Sequence, residues 1–267
     1  MLTILGRTMN LVDIALLSGA GLAAGTVNAI AGGGSLITFP ALIATGLSPV
    51  AANVTNSVSV FPGYVASVYG SRTDLKDLAR DSSKKTLVML VPTSVVAAAL
   101  GCALLLATPA RAFDLVVPFL VLGATTILAF QERLRGLVGH PRDMTERRRT
   151  LSLHAMVFAG SLYGGYFGAA LGVMLVAALG LVLDQSMARI SALKNVVSAL
   201  GGLVTVCAFA AFGPVAWADV LVVAPTAMIG GYVGARLARR LPSKVLKWLI
   251  VAFGTGVGLV LLYRAVF

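Results

Sequence analysis

Apolar residues run along this chain in blocks of about membrane thickness, and short polar stretches separate them. The blocks fall near 11–31, 51–70, 86–106, 112–130, 151–171, 188–212, 218–235 and 246–264. A helix needs about 20 apolar residues to cross a hydrocarbon core of roughly 30 Å. The pattern therefore predicts an all-α, polytopic transmembrane protein. Two apolar pieces are shorter, at 35–46 and 173–183. One follows Gly32-Gly33-Gly34 and the other Leu171-Gly172. At 1.5 Å per residue neither reaches much beyond about 18 Å, too short to cross upright. They read as half-helices or re-entrant segments, which a membrane tolerates only where protein or a water-filled cavity surrounds the broken backbone.

The blocks repeat. At an offset of 139, Gly21 falls on Gly160, Gly25 on Gly164, Gly33 on Gly172, Asn56 on Asn195 and Gly63 on Gly202. After a loop six residues longer in the first half the offset is 133, and Pro92-Thr93 falls on Pro225-Thr226, Gly101 on Gly234, Pro109 on Pro242 and Gly123 on Gly256. The ordered Pro-Thr, Pro and Asn matches point to duplication. The chain thus reads as one transmembrane domain: a repeat over about 11–130, a basic loop over about 131–150, and a second repeat over about 151–265, each with about four long helices.

Charge changes this picture by giving the halves a direction. Loop 71–85 carries Arg72, Lys76, Arg80, Lys84 and Lys85, while its counterpart near 213–219 has no base. Loop 107–111 holds only Arg111, whereas its counterpart belongs to the cluster Arg236, Arg239, Arg240, Lys244 and Lys247. The central loop adds Arg133, Arg135, Arg142, Arg147, Arg148 and Arg149. By the positive-inside rule these clusters are cytoplasmic and the repeats lie in opposite orientations, the inverted plan of many secondary transporters. That plan needs an odd number of crossings per half, and the pattern does not choose how the broken segments supply it.

Composition agrees: 58% of residues are hydrophobic, mean hydropathy is +0.93, and only 12% are charged, about half the share of a soluble domain. A net charge of +11 ordinarily suggests nucleic acid, but here the bases punctuate membrane-length blocks, so no nucleic-acid partner is expected. Cys102 and Cys207 lie inside apolar blocks without metal or disulfide spacing, and read as small buried residues. Arg7 precedes an apolar stretch that continues into the first repeat, so a removable signal peptide is not expected.

Candidate chemistry clusters at the breaks. Around Gly32-Gly33-Gly34-Ser35, with Asn28 before and Pro40 after, glycines release the backbone from the helix, and the half-helix that follows offers unpaired N–H groups to an anion. The alternative is a packing turn without ligand. A polar cluster, Asn53, Thr55, Asn56, Ser57 and Ser59, has a counterpart in Lys194, Asn195 and Ser198. A charge inside a span costs about 2.5–3.5 kcal/mol and ordinarily serves a function. Lys194 is therefore a candidate anion counter-charge, or else it snorkels to the interface from a segment that begins at Met187. Arg189, a turn earlier, reads as interfacial, with a secondary role in attracting substrate. Gly160, Gly164, Gly168 and Gly172 recur every four residues and read as a close-packing face. Tyr163 and Tyr166 among them are secondary candidates for hydroxyl contact with a ligand. Gly230 with Gly234 and Gly254 with Gly258 read as packing pairs too, and exposed glycine faces would permit a homodimer.

Catalysis has little material. Asp13, Asp114, Asp184 and Asp219 lie near segment ends, His140 and His154 lie in or beside the basic loop, and no HExxH, GxSxG or P-loop occurs. No enzyme activity, cofactor or metal site is expected.

The run Gly25-Thr26-Val27-Asn28-Ala29-Ile30-Ala31-Gly32-Gly33-Gly34-Ser35, with Phe39-Pro40 and Ala51-Ala52-Asn53-Val54-Thr55-Asn56, resembles the sulfite exporter TauE/SafE family of membrane proteins. In the second half Tyr163-Gly164-Gly165-Tyr166-Phe167-Gly168, Lys194-Asn195 and Gly230-Gly231-Tyr232-Val233-Gly234-Ala235 carry the likeness, which covers residues 11–265. The resemblance implies a cell-membrane transporter, and a sulfur oxyanion such as sulfite or sulfoacetate as substrate. One departure is that Leu171-Gly172-Val173 stands opposite Gly32-Gly33-Gly34, so the two broken elements need not contribute equally.

The combined expectation is a carrier whose site lies between the repeats. Asn28, Gly33, Gly34, Ser35, Asn53, Thr55, Asn56, Lys194 and Asn195 would hold a small anion there, with Tyr163, Tyr166 and Arg189 secondary. A channel, a membrane-embedded enzyme acting on a lipid or small acid, and a non-transporting scaffold are the competing readings.

Overall fold

Each long apolar block folds as a helix, because with no water in the core every backbone N–H and C=O must be paired within its own segment. The computed structural model describes residues 2–4, 7–30, 33–81, 84–130, 133, 145–180, 182–183, 185–237 and 243–266. In chain order its helices are α1 (Leu11–Ile30), α2 (Ser35–Ala44), α3 (Pro49–Gly70), α4 (Arg72–Asp81), α5 (Lys84–Ala107), α6 (Ala110–Ala129), α7 (Glu146–Tyr166), α8 (Leu171–Gly180), α9 (Met187–Phe212), α10 (Trp217–Leu237) and α11 (Ser243–Val266).

Four of these, α1, α5, α6 and α9, are long and apolar enough among the described residues to cross a membrane by themselves. The expectation of eight such blocks is met in position rather than in hydropathy. Helix α3 carries the polar cluster, α7 opens with Glu-Arg-Arg-Arg, and α10 and α11 hold shorter apolar stretches at Trp217–Val233 and Val251–Ala265. Large apolar side chains such as Leu104, Phe119, Leu203 and Phe212 face outward, where lipid solvates them at no cost.

Three local features differ from expectation. A small antiparallel hairpin pairs Leu2–Ile4 with Arg7–Met9, so the chain is not wholly helical; three-residue strands are too short to register in a hydropathy pattern. Stretch 71–85 is not a plain loop but holds the amphipathic α4, whose Leu78 is buried while Arg72 and Lys76 are exposed. The central loop is shorter than 131–150, since Arg147, Arg148 and Arg149 already lie in α7. Residues 131–132 and 134–144, with Arg135, His140 and Arg142, lie outside the described residues.

Helix ends are set by local chemistry. Asn10 and Asp13 bond reciprocally, Asp13 N–H to Asn10 Oδ1 at 2.7 Å and Asn10 N–H to Asp13 Oδ2 at 3.2 Å, in the manner of a capping box at the start of α1. Ser48 caps α3 ahead of Pro49, and Ser186 caps α9.

Contacts fix the helix directions. Gly21 and Gly25 of α1 lie against Val223–Thr226 and Ala227–Gly231 of α10, so this pair runs parallel. Helices α5 and α7 are also parallel: Thr93 meets His154, while Gly101 meets Leu162 and Tyr166. Helix α3 runs antiparallel to α9, with Ser67 near Asn195 and Phe61 near Gly202. Helix α6 runs antiparallel to α11, with Thr125 near Gly254 and Leu122 near Gly258. A first core cluster gathers Phe39, Phe113, Phe167 and Phe209; a second gathers Leu78, Leu90, Leu175, Ile190 and Leu193 around α8.

Candidate functional site

Both short helices begin at a break and turn back along the helix before them. At the first break Asn28 Oδ1 accepts the Gly34 N–H at 2.8 Å, and a Cβ on Gly34 would lie 2.2 Å from the Ala24 carbonyl oxygen. Glycine is required there by close approach. The second break occupies Phe167–Ala170, earlier than the expected Leu171-Gly172, and Gly172 lies inside α8. Gly168 has φ +73° and Ala170 φ +54°. The second is a strained conformation for a residue with a Cβ. Tyr163 holds it by donating its hydroxyl to the Ala169 carbonyl at 2.7 Å.

The two breaks meet. Ser35, the first residue of α2, and Gly168 and Leu171, where α8 begins, border one narrow cavity of about 20 Å³, room for about one water. Asn56, Ser57 and Tyr64 of α3, Ser161 of α7, and Ser198 and Thr205 of α9 complete its polar lining. Thr38 of α2 donates its hydroxyl to Asn56 Oδ1, which leaves the Asn56 amide N–H₂ as the end able to donate into the cavity. Among the described residues no cationic side chain lines this cavity. A wider cavity of about 630 Å³ lies between α1, α3, α9 and α10; Asn28, Ser67, Ser71, Asn195 and Tyr232 border it, and Val60 borders both spaces.

Of the residues expected at the site, Ser35 and Asn56 face the narrow cavity, and Gly33 and Gly34 form the break above it. The others lie elsewhere. Asn53 donates to the Tyr166 carbonyl at 2.8 Å, satisfying the end of α7, and Thr55 accepts the Ala216 N–H at 3.0 Å. Asn195 donates to the Ser67 carbonyl and the Ser71 hydroxyl, tying α9 to the α3–α4 junction. Asn28 and Asn195 border the wider cavity. Lys194 lines neither space but sits one turn before Ser198 on the same face of α9. Tyr166 packs edge-on against Phe113, with ring centroids 5.8 Å apart, and Arg189 donates to Gln185 at 2.9 Å.

Sequence reasoning passed over Ser161, Tyr64 and Thr205, and noted Ser198 only as polar. Ser161 had one usable signal, its place next to Gly160 within the glycine series. That series does not act as one packing face. Gly160 and Gly164 take the Leu175 and Leu171 side chains, while close α5–α7 backbone approach falls at Gly165 and Gly101, where a Cβ would lie 2.2 Å from the Ala98 and Leu162 carbonyl oxygens respectively.

Membrane-length apolar helices, two half-helices that start at facing breaks and a polar cavity between them define an integral membrane protein of the transporter class. The chain belongs to the sulfite exporter TauE/SafE family, whose model matches residues 17–261. It is similar to the probable membrane transporter protein YfcA of Escherichia coli K12, 28% identical over 247 residues, 90% of this chain and 86% of that one. It is also similar to a probable membrane transporter protein of Haemophilus influenzae, 26% identical over 241 residues, 89% of this chain and 90% of that one. The probable membrane transporter protein ORF9 of a Sinorhizobium species is 26% identical over 246 residues, 89% of this chain and 88% of that one. No solved structure matches the chain. As a member of this family the chain is a membrane transporter in a lipid bilayer.

Proposed function

We propose that the chain is a secondary transporter that carries a small anion, sulfite or an organosulfonate such as sulfoacetate, by alternating access. The observation that carries this reading is the convergence of the α2 and α8 N-termini on one polar cavity. In α2 the Leu36 and Ile37 N–H groups bond to the Gly33 and Gly34 carbonyls, and in α8 those of Leu171 and Val173 bond to Gly168 and Ala170, so what the two ends offer is chiefly the helix dipole, roughly half a positive charge each. Two such ends facing one space in a low-dielectric interior favour an anion without an ionised side chain in contact. The family's description, a sulfite exporter, supports the sulfur oxyanion.

The helix directions support an inverted duplication. Pairing α1, α2, α3, α5 and α6 with α7, α8, α9, α10 and α11 exchanges the parallel pair α1–α10 for the parallel pair α7–α5, and maps the antiparallel pairs α3–α9 and α6–α11 onto themselves. With basic clusters cytoplasmic, the wider cavity, bordered by Gly70, Ser71 and Tyr232 near those clusters, opens toward the cytoplasm. Lys194 then sits on the cytoplasmic side of the cavity and acts on the anion through its field.

The narrowness of the cavity favours a carrier over an open pore, since loading demands movement of the surrounding helices. The test is uptake of labelled sulfite and sulfoacetate into proteoliposomes. Saturable uptake accelerated by the same anion on the opposite side supports the carrier. Flux linear in concentration favours a channel, and no flux of either anion removes the sulfur-oxyanion assignment.

A further inference from the structure

Polar groups in the narrow cavity fall into two kinds. Ser57 donates its hydroxyl to the Asn53 carbonyl at 2.9 Å, and Thr205 donates to the Gly202 carbonyl at 2.8 Å. Both hydroxyls are therefore satisfied by their own helices. Ser161 and Ser198 differ. They are 3% and 2% exposed, lie on α7 and α9, and neither hydroxyl has a hydrogen-bond partner among the described residues. A Ser hydroxyl in a helix ordinarily bonds back to the carbonyl a turn earlier, as Ser57, Ser59 and Ser67 do here. A buried hydroxyl without a partner is destabilising, and native interiors keep few of them. Among the described residues four that are not themselves acids carry such side-chain oxygens, and two of them border this one cavity.

We propose that the hydroxyls of Ser161 and Ser198 are ligand groups for the carried anion, and that together with the α2 and α8 N-termini they select an oxyanion by hydrogen bonding with no cationic side chain in contact. The proposal rests on the transporter reading of the same cavity and goes beyond it by assigning the side-chain donors. An ionised oxygen is the acceptor that a lone hydroxyl donor satisfies best, and such charge-assisted bonds are about twice as strong as neutral ones. An oxyanion offers two or more acceptor oxygens, enough to share between the two hydroxyls and the Asn56 amide once the cavity has widened from its present volume of about 20 Å³. With the helix termini as the source of positive potential, the site needs no lysine in contact, which accounts for the position of Lys194 outside the lining.

The experiment measures anion binding and stability separately on the full-length protein. Thermal unfolding in detergent is followed against increasing sulfite and sulfoacetate for the wild type, Ser161→Ala, Ser198→Ala and Ser198→Thr. One control carries the same kind of change elsewhere: Ser94→Ala, an unpartnered buried hydroxyl away from the cavity. Loss of a hydrogen bond to a charged group weakens binding about 10-fold to 100-fold, so both Ala variants at positions 161 and 198 should bind at least about 10-fold more weakly. Their unfolding temperatures without anion should be unchanged or higher, because an orphaned hydroxyl has been removed. Ser198→Thr, which keeps the hydroxyl, should retain much of the affinity, and Ser94→Ala should retain all of it. Lower stability with undiminished affinity in the two Ala variants would mean structural serines and overturn the assignment. Wild-type protein that binds neither anion overturns the transport reading itself, an outcome distinct from wild-type binding that ignores both serines.

Discussion

The Thr38 hydroxyl donates to the Asn56 carbonyl oxygen, tying half-helix α2 to α3 at the wall of the narrow cavity. Both residues are buried, at 0% and 3% exposure, so neither group has water as a substitute partner. Thr38→Val keeps the shape and removes the donor. It should lower stability by about 1–3 kcal/mol, the cost of an acceptor left unsatisfied, and weaken transport by freeing the Asn56 amide to rotate. Thermal unfolding and initial uptake rates check the two parts.

Asn53 and Asn56 are three residues apart on α3 and should behave differently. Asn53 spends its amide on the Tyr166 carbonyl, so Asn53→Ala should destabilise the protein through an unpaired helix end. Asn56→Ala should instead raise KM at nearly unchanged unfolding temperature once the loss of the Thr38 contact is subtracted with the Thr38→Val variant. Equal profiles for the two would merge their roles.

Backbone contact at the helix crossings makes some glycines irreplaceable. A Cβ on Gly165 would lie 2.2 Å from the Ala98 carbonyl oxygen, and one on Gly25 2.0 Å from that of Ala227. Gly165→Ala and Gly25→Ala should each cost about 1–3 kcal/mol as overpacked contacts. Gly63→Ala and Gly123→Ala, where a Cβ meets nothing within 4 Å, should be nearly neutral. Unfolding temperature in detergent and yield of folded protein report the difference.

Lys194 acts from outside the lining in this account. Lys194→Gln should raise KM for anion offered from the cytoplasmic side while leaving maximal velocity near wild type. Its effect should shrink as ionic strength rises, because a field contribution is screened. Abolition of transport at every concentration would instead place the ammonium in contact with the substrate.

The helical membrane architecture was legible because block length and basic punctuation follow directly from the bilayer's thickness and its charge asymmetry. The half-helices were legible too, since a 10-residue apolar piece after a glycine break is too short to cross. Of the candidate site, Ser35 and Asn56 were legible as polar residues at or near a break, and they line the narrow cavity. Asn28, Asn53, Thr55 and Asn195 look like ligand groups in the sequence, yet each satisfies backbone or side-chain groups beside a break, at a helix end or at a helix junction. A polar residue in a membrane helix can serve a ligand or a broken backbone, and residue type does not separate these. The second break was misplaced because Leu171-Gly172 was aligned to the first by glycine, whereas the turn is made by Gly168 and a strained Ala170. Ser161 borders the cavity but did not stand out in the sequence, because an isolated serine among glycines ordinarily packs.

Alternating access at the narrow cavity is the central claim, and cysteine accessibility tests it directly. Asn56→Cys is placed in a Cys207→Ala background, since Cys207 is exposed and Cys102 buried, and a membrane-impermeant thiol reagent is applied to either face of oriented vesicles. The account predicts labelling from each side in turn: cytoplasmic labelling falls when a saturating anion gradient drives the protein outward-facing, and external labelling rises in step. Simultaneous labelling from both faces, unaffected by the gradient, would contradict alternating access and make the cavity part of a continuous pore.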